Sequence, residues 1–288
     1  MTSISKTAFV FAGGGSLGAI QVGMLKVLAA HGIGAACAVG SSVGAINAAY
    51  YAADPSVLGV ERLEAIWRGL LRGSVFRPAT LDMLRAIFTG RDHLIDSSPL
   101  RRLVERHLPG ALLQKGQIPC HVVATDLLQG GEVVISSGSV VDALLASAAI
   151  PGIFPPVELD GRYLVDGGVA NHTPVSVAAG LDVSRLIVLP TGYSCAHRTP
   201  PRGVVAIALH ALNQIIVRQL VTDLQRLGAE IEIRVVPPLC PVDVSSYDFS
   251  RAGELIDRSA AATERWLTKG GLERGDIPHE LPLHHHTR

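Results

Sequence analysis

The sequence predicts an α/β fold in which helices pack around a mostly parallel central sheet. Short apolar runs that end in glycine alternate with stretches whose apolar residues recur at helical spacing, a pattern typical of βαβ units. The composition indicates a packed core, because 48% of the 288 residues are apolar and only 17% are charged. A disordered chain has the opposite balance of low hydrophobicity and high net charge.

The first fifty residues show this alternation most clearly. Residues 7–11 form an apolar run that ends in three glycines, and residues 17–31 then repeat apolar positions at helical spacing. Residues 36–39 form a second apolar run that ends at Gly40, and residues 43–53 are rich in alanine and typical of a helix. The predicted order is therefore strand, helix, strand, helix.

Residues 55–115 differ, because helical stretches separated by glycine and proline occur there without a clear strand. We expect this segment to be a helical insertion in a single domain of residues 1–276, followed by a disordered tail at residues 277–288. Further predicted strands are residues 121–125, 132–135, 162–165, 185–189 and 231–236, and predicted helices include residues 60–71, 81–88, 99–107, 204–227 and 251–268.

Charge and cysteine content exclude several classes of protein. The 25 basic residues balance 25 acidic ones, and a pI near 7.2 provides no basic face for nucleic acid. The four cysteines are far apart and show neither a disulfide framework nor zinc-ligand spacing. The first apolar run is too short for a signal peptide. We therefore expect a cytoplasmic protein without metal, cofactor or nucleic-acid partner.

Two segments bear on membrane contact. Residues 32–53 carry no charge and are long enough to cross a bilayer. They consist mostly of glycine, alanine and serine, so we interpret them as buried strand, turn and helix. Residues 61–115 hold ten basic groups against six acidic ones. Such an excess is usually a solvated helix face, and we keep peripheral contact with an anionic membrane as a minor hypothesis.

The first glycine motif is Gly13, Gly15 and Gly18, which form G-x-G-x-x-G between a predicted strand and a predicted helix. In a dinucleotide-binding fold an acidic residue about 20 positions later holds the ribose, but the first acidic residue here is Asp54. No Gly-Lys-Ser/Thr follows, which excludes a P-loop. The remaining interpretation is a turn whose amides point at an anion, permanent or transient.

A candidate nucleophile follows the second predicted strand. Residues 40–44 read G-x-S-x-G, a turn that exposes a serine between a strand and a helix and uses flanking glycines to avoid clashes. Ser42 is this serine. The motif occurs by chance in a chain with 30 glycines, but its predicted strand–turn–helix context favours a functional role.

A candidate base is Asp166, which ends the predicted strand at residues 162–165 and precedes Gly167 and Gly168. We expect it at the same sheet edge as Ser42, because it lies at the carboxyl end of a strand. An ordinary Asp-Gly-Gly turn explains the local sequence equally well. Among the eleven histidines, His172 is the best placed, and a capping or supporting role suits it better than catalysis.

Together these motifs resemble the patatin-like phospholipases. The resemblance extends over about residues 7–190 and includes Ala-Thr-Asp-Leu at residues 124–127, the segment 147–156 and Asp-Gly-Gly-Val-Ala-Asn at residues 166–171. It implies a three-layer α/β/α sandwich, shared with the malonyl-CoA transacylases, and a Ser–Asp dyad that hydrolyses acyl esters without histidine.

The resemblance assigns roles to individual residues. Ser42 corresponds to the nucleophile and Asp166 to its base. The amides of Gly13, Gly14 and Gly15 correspond to an oxyanion hole, and the motifs are supported by Gly18, Gly40, Gly44, Gly167 and Gly168. One position departs from the family: Leu17 stands where Arg or Lys is common, which removes a cation near the oxyanion.

The function expected from the resemblance is hydrolysis of a lipid or other acyl ester. Leu17 motivates the alternative of a catalytically silent acyl- or lipid-binding protein, and acyl transfer is a further alternative because it shares the acyl-enzyme. The insertion offers apolar residues for an acyl channel, although packing on the sheet explains them equally well. These residues are Leu63, Ile66, Trp67, Leu70, Leu84, Ile87 and Phe88.

Overall fold

The computed structural model describes residues 6–70, 93–108, 110–192, 204–227 and 231–281. In these ranges the strands are β1 Thr7–Phe11, β2 Cys37–Ser41, β3 Cys120–Asp126, β4 Glu132–Ile135, β5 Val157–Leu159, β6 Arg162–Asp166, β7 Arg185–Leu189 and β8 Glu232–Val235. The helices are α1 Gly18–Ala30, α2 Val43–Ala53, α3 Val57–Gly69, α4 Ser98–His107, α5 Val140–Ser147, α6 Val175–Ala179, α7 Val204–Leu227 and α8 Ala252–Thr268.

The eight strands form one sheet with the order β5-β6-β3-β2-β1-β7-β8, and β4 also pairs with β3. The pairs from β3 through β2, β1 and β7 to β8 are parallel. Strands β4 and β6 run antiparallel to β3, and β5 runs antiparallel to β6. The predicted mostly parallel sheet is confirmed, with an antiparallel border at one end.

Pairing along β3 brings two strand ends together. Strand β2 pairs with β3 up to Ser41 beside Val123, and β6 pairs with the next residues, with Asp166 beside Ala124. Strand β4 pairs with the same part of β3, from Val122 to Thr125. Because a strand has one neighbour on each side, β4 occupies one side, and β2 and β6 share the other. Their carboxyl ends therefore meet head to head.

Each face of the sheet has its own apolar core. One face packs against α1 to α5 and α8, through strand residues such as Phe9, Phe11 and Val122. The other face packs against α6 and α7, through residues such as Val10 and Val188. Alternate residues of β1 thus face opposite layers, as the two-residue repeat of a strand requires. The expected three-layer α/β/α sandwich is confirmed.

Most predicted elements lie close to their observed bounds, and the uncharged residues 32–53 form β2 and α2 as expected. Strand β5 was not predicted. The predicted helix at residues 81–88 lies outside the described residues. The first residues of the tail that the sequence predicts to be disordered are packed on the protein: Ile277 and Leu281 contact the face of the sheet covered by α6 and α7, where Leu281 is 2% exposed. Residues 282–288 lie outside the described ranges. No helix in the described part of the chain has the length and apolar character that crossing a membrane requires.

Close backbone contact explains two glycines of the G-x-S-x-G turn. A Cβ atom on Gly40 would collide with the carbonyl oxygen of Gly44, and one on Gly44 would collide with the carbonyl oxygens of Phe11 and Ala12. These neighbours are backbone atoms of α2, of the last residue of β1 and of the residue after it, so they cannot rotate away as a side chain can. Gly40 therefore allows β2 to lie close to the start of α2, and Gly44 allows the turn to pack on β1.

We expect Gly44→Ala to lower the free energy of unfolding by about 1 to 3 kcal/mol, because the added methyl group overpacks a rigid site. Gly69→Ala is the matched control, since a Cβ there meets nothing within 4 Å and should change stability by less than ~1 kcal/mol. Urea denaturation measures both. Equal stability of the two variants would contradict the packing explanation.

Candidate active site

Ser42 occupies the sharp turn between β2 and α2. Its backbone has φ 55° and ψ −127°, a left-handed conformation that is unusual for a residue other than glycine. Its N–H donates to Ser147 Oγ at 2.8 Å, and the Ser147 hydroxyl donates to the carbonyl oxygen of Val123 at 2.6 Å. Ser147 thus ties the turn to β3.

Asp166 lies directly opposite this serine. The Ser42 hydroxyl donates to Asp166 Oδ2 at 2.6 Å, and the other carboxylate oxygen accepts the N–H of Gly168 at 2.7 Å. The carbonyl oxygen of Asp166 accepts a hydrogen bond from Thr125 Oγ1 at 2.9 Å. A Cβ on Gly167 would collide with the carbonyl oxygen of Val123. The glycine therefore allows the turn after Asp166 to lie against β3.

Burial controls the charge of this carboxylate. Asp166 is 6% exposed, and loss of solvation raises its pKa from 3.8 to about 6. The hydrogen bonds from Ser42 and Gly168 lower the pKa but offset only part of this effect. Asp166 is consequently a stronger base than a solvated aspartate and is still mostly ionised at neutral pH.

The glycine turn after β1 contains the predicted oxyanion-hole residues. The amide of Gly13 donates to the carbonyl oxygen of His172 at 2.9 Å, so it is engaged. Gly14 and Gly15 have φ 143° and φ 58°, and their amides donate to no residue in the described ranges. A Cβ on Gly15 would also collide with the carbonyl oxygen of Ser246. Within the described residues, the amides of Gly14 and Gly15 are therefore available to donate hydrogen bonds to a bound group.

The last two positions of the glycine motif, Leu17 and Gly18, belong to the core. Leu17 is 1% exposed and packs in the core on the face of the sheet that α1 to α5 and α8 cover. A Cβ on Gly18 would lie 2.7 Å from Val43 Cγ2 and 3.0 Å from Trp67 Cζ2, so Gly18 allows α1 to approach α2 and α3 closely.

An apolar pocket opens beside Ser42. It has a cavity volume of about 70 Å³, and Gly15 also lines it. Its walls come from α2, α3 and α4, with further residues from the segment after α5 and from Phe249. Its wall includes Val43, Ile46, Leu63, Ile66, Trp67, Leu70, Leu100 and Val104. The first four channel residues expected from the insertion are among them; Leu84, Ile87 and Phe88 lie outside the described residues.

A segment before α8 closes one side of the site. The backbone carbonyls of Ser245 and Ser246 accept hydrogen bonds from Ser16 Oγ at 2.9 Å and Ser16 N at 2.8 Å. Phe249 stacks on Trp67 with ring centroids 6.0 Å apart. Burial, together with the charge of Asp166, raises the pKa of Tyr247 to about 12. Sequence reasoning missed this segment because no local motif marks a contact across more than 200 residues.

His172 is also close to the site but is not part of the Ser42–Asp166 contact. Burial lowers the pKa of its imidazole to about 4, so the ring is neutral near pH 7. Its Nδ1 atom lies 3.4 Å from Thr173 Oγ1. Among the described residues, no group of three or more His, Cys, Asp or Glu side chains is arranged to hold a metal ion.

Comparison with known proteins identifies relatives of this chain. The family model described as Patatin-like phospholipase matches residues 9–179, which is more than half of the chain. An uncharacterised NTE family protein of Mycobacterium tuberculosis is 31% identical over 191 residues, 65% of this chain and 49% of its own length. Human patatin-like phospholipase domain-containing protein 6 is 28% identical over 190 residues, 64% of this chain and 13% of its own length.

The chain thus spans about half the length of the mycobacterial relative and a small part of the human one. Among solved structures, human GIVD cytosolic phospholipase A2 in complex with methyl gamma-linolenyl fluorophosphonate aligns with a TM-score of 0.49 and 13% identity, over 94% of this chain and 59% of that one.

The buried charge of Asp166 predicts a stabilising substitution. Because the folded-state pKa is raised, the neutral carboxyl is favoured by folding; this contribution is complete below pH ~4 and is lost as pH rises through about 6. Asp166→Asn, which is never charged, should therefore raise the free energy of unfolding at pH 8 by about 3 kcal/mol relative to the parent chain, at ~1.4 kcal/mol per pKa unit.

Urea denaturation at several pH values measures this difference, which should vanish near pH 4. Asp126→Asn is the control, because the Asp126 carboxylate accepts two backbone N–H groups, from Leu128 and Gln129, and its loss should not stabilise the chain. If the gain in free energy of unfolding from Asp166→Asn grows as pH falls, the predicted direction of the pH dependence is wrong.

Proposed function

The chain belongs to the patatin-like phospholipase family, and from this premise we propose that it is a serine acyl hydrolase that acts on lipid esters. Ser42 is the nucleophile and Asp166 is its base. The observation that carries the proposal is the 2.6 Å hydrogen bond from the Ser42 hydroxyl to Asp166 Oδ2, beside an apolar pocket.

In the first half of the reaction, Ser42 Oγ attacks the ester carbonyl carbon and Asp166 takes the hydroxyl proton. The negative oxygen that forms is stabilised by the free amides of Gly14 and Gly15. A single preorganised donor of this kind contributes about 3 kcal/mol to the transition state. Asp166 then gives its proton to the alkoxide oxygen, the bond from the carbonyl carbon to that oxygen breaks, and the alcohol leaves.

The second half removes the acyl group. Water attacks the Ser42 ester, Asp166 takes a proton from the water, and the proton returns to Ser42 Oγ as the carboxylic acid is released. One carboxyl group suffices because its raised pKa, about 6, makes it more basic than a solvated aspartate while most molecules remain ionised at pH 7.

Lipid esters are the proposed substrates because the pocket wall is apolar. Peripheral membrane contact by the basic residues of the insertion stays a prediction. Some of those residues are already neutralised in the structure: Arg68 pairs with Glu64 and Asp257, and Arg101 lies 3.1 Å from Asp142.

The dyad is tested by two substitutions with matched controls. Ser42→Ala and Asp166→Asn should each lower kcat/KM for p-nitrophenyl octanoate by about 10³-fold or more, because groups that act as a unit fail together. Ser41→Ala, whose hydroxyl is buried without a partner in the described residues, and Asp126→Asn should retain most of the activity. An Asp166→Asn variant with full activity would remove Asp166 from the mechanism.

A fluorophosphonate probe separates hydrolysis from silent binding. Covalent labelling of Ser42, located by peptide mapping and absent in Ser42→Ala, is the expected result. An unlabelled, folded protein that binds fatty acid would favour the silent acyl-binding alternative. Product analysis with added alcohol acceptors separates hydrolysis from acyl transfer.

The pocket predicts a preference for longer acyl chains. Each CH₂ group buried contributes about 0.8 kcal/mol, part of which is available in the transition state. In a series of p-nitrophenyl esters, kcat/KM should rise from acetate to octanoate. Ile46→Trp should fill the pocket and lower the octanoate-to-acetate ratio of kcat/KM. A ratio that Ile46→Trp leaves unchanged would place the acyl chain elsewhere.

A further inference from the structure

A second cavity lies near the β8 edge of the sheet, between α8 and the segment that follows β8. Its volume is about 480 Å³, and it shares no lining residue with the pocket beside Ser42. Residues 237–240 form one wall, and residues of α8 form the other, together with Lys269 just beyond the helix end. Neither Ser42 nor Asp166 lines this cavity, so the proposed reaction gives it no role.

Packing and one hydrogen bond hold the two walls in place. Residues 237–238 are two prolines, which have no N–H to extend the pairing of β8 with β7, so the chain leaves the sheet there. Leu239 is 7% exposed and packs in the core. Arg258 Nη2 donates to the carbonyl oxygen of Pro241 at 2.6 Å and thereby links α8 to this segment. The cavity is therefore formed before any ligand binds.

The helix wall of the cavity is apolar between its charged residues. Its lining positions recur at intervals of three and four, so they form one stripe of the helix. Alanine occupies two of these positions, and Trp266 lies beside them. The indole ring packs against Gly271, where a Cβ atom would lie 2.2 Å from Trp266 Cε2. The stripe consists of Arg258, Ala261, Ala262, Arg265, Trp266 and Lys269.

The charges around the cavity are not balanced. Arg258 pairs with Glu254 at 3.2 Å. Arg265 and Lys269 form no ion pair and no side-chain hydrogen bond with any residue in the described part of the chain. Among the described residues that line the cavity, Glu280 is the one that carries a carboxylate. Because Arg265 and Lys269 are four positions apart on one stripe, their charges repel each other.

We propose that this cavity binds a small amphipathic anion, with its phosphate or carboxylate group between Arg265 and Lys269 and its apolar part on Trp266 and the two alanines. A bound anion removes the repulsion between the two cations and accepts charge-assisted hydrogen bonds from them. Burial of its apolar part adds to the affinity. A lipid headgroup with its chain and a soluble organic phosphate share this chemistry. The inference does not rest on the proposed function, because the two sites have no residue in common.

Trp266 provides a direct measurement of binding. The chain contains two tryptophans, and the other, Trp67, lines the pocket beside Ser42. In a Trp67→Phe background, tryptophan fluorescence therefore comes from this cavity alone. Octyl phosphate, titrated below its critical micelle concentration, should change this fluorescence along a saturable curve. Octanol, which has the same chain without the charge, should bind at least about tenfold more weakly.

Charge substitutions in the same background should change the affinity in opposite directions. Arg265→Gln and Lys269→Gln should each raise the Kd for octyl phosphate about tenfold, because each removes a charge-assisted hydrogen bond. Glu280→Gln should lower the Kd about two- to threefold, because it removes a carboxylate that repels the anion. Arg162→Gln is the matched control, since Arg162 is an exposed arginine on β6 that does not line the cavity, and its Kd should equal that of the parent.

Two further probes identify the source of the anion. Vesicles that contain phosphatidic acid are sedimented with the parent chain and with the Arg265→Gln and Lys269→Gln variants. Sedimentation that both substitutions reduce indicates a lipid headgroup. Saturable binding of octyl phosphate without sedimentation indicates a soluble ligand, and octanoate in the same fluorescence titration shows whether a carboxylate replaces the phosphate.

Three results would overturn the inference. The first is Trp266 fluorescence that octyl phosphate leaves unchanged, and the second is equal affinity for octyl phosphate and octanol. The third is parental affinity in both Arg265→Gln and Lys269→Gln. If these two variants bind as the parent does but unfold at a lower temperature, the two cations serve only to stabilise the carboxyl end of α8.

Discussion

The site depends on one constraint of sheet pairing: the side of β3 that faces β2 holds a second strand beyond the end of β2. Strand β6 arrives from the opposite direction, and its last residue, Asp166, stops beside Ala124, one position after the end of β2. Ser42 follows β2 immediately. Backbone hydrogen bonds to β3 thus set the positions of both residues, and the Ser42–Asp166 hydrogen bond follows from this placement.

Burial at this junction has two opposite consequences. It destabilises the folded chain above pH 6, because the Asp166 carboxylate loses solvation that only two short hydrogen bonds replace. The same loss of solvation makes the carboxylate basic enough for the proposed proton transfers. A site that is less than optimal for stability is common where a function needs a perturbed charge.

Absent side chains shape the cleft as much as present ones. Gly44 lets the turn lie on β1, Gly167 lets the next turn lie on β3, and Gly13 and Gly168 let the His172 ring pack closely against them. Larger residues at the first two positions would collide with backbone atoms, whereas at the last two they would crowd the imidazole ring. Glycines of one chain therefore serve two different purposes here.

The sequence by itself determined the α/β class and the motifs, because hydrophobic period and glycine turns are local properties, and the family resemblance of those motifs implied the three-layer sandwich. It also indicated Ser42 and Asp166, although the reason offered, parallel strand ends at one edge, was not the observed one, since β6 is antiparallel to β3. Contacts between distant segments were decided only by the tertiary structure. These include the bond from Ser42 N to Ser147, the engagement of the Gly13 amide by His172, and the closing segment at residues 244–249. Such contacts depend on how layers pack in space, and no local sequence pattern records that.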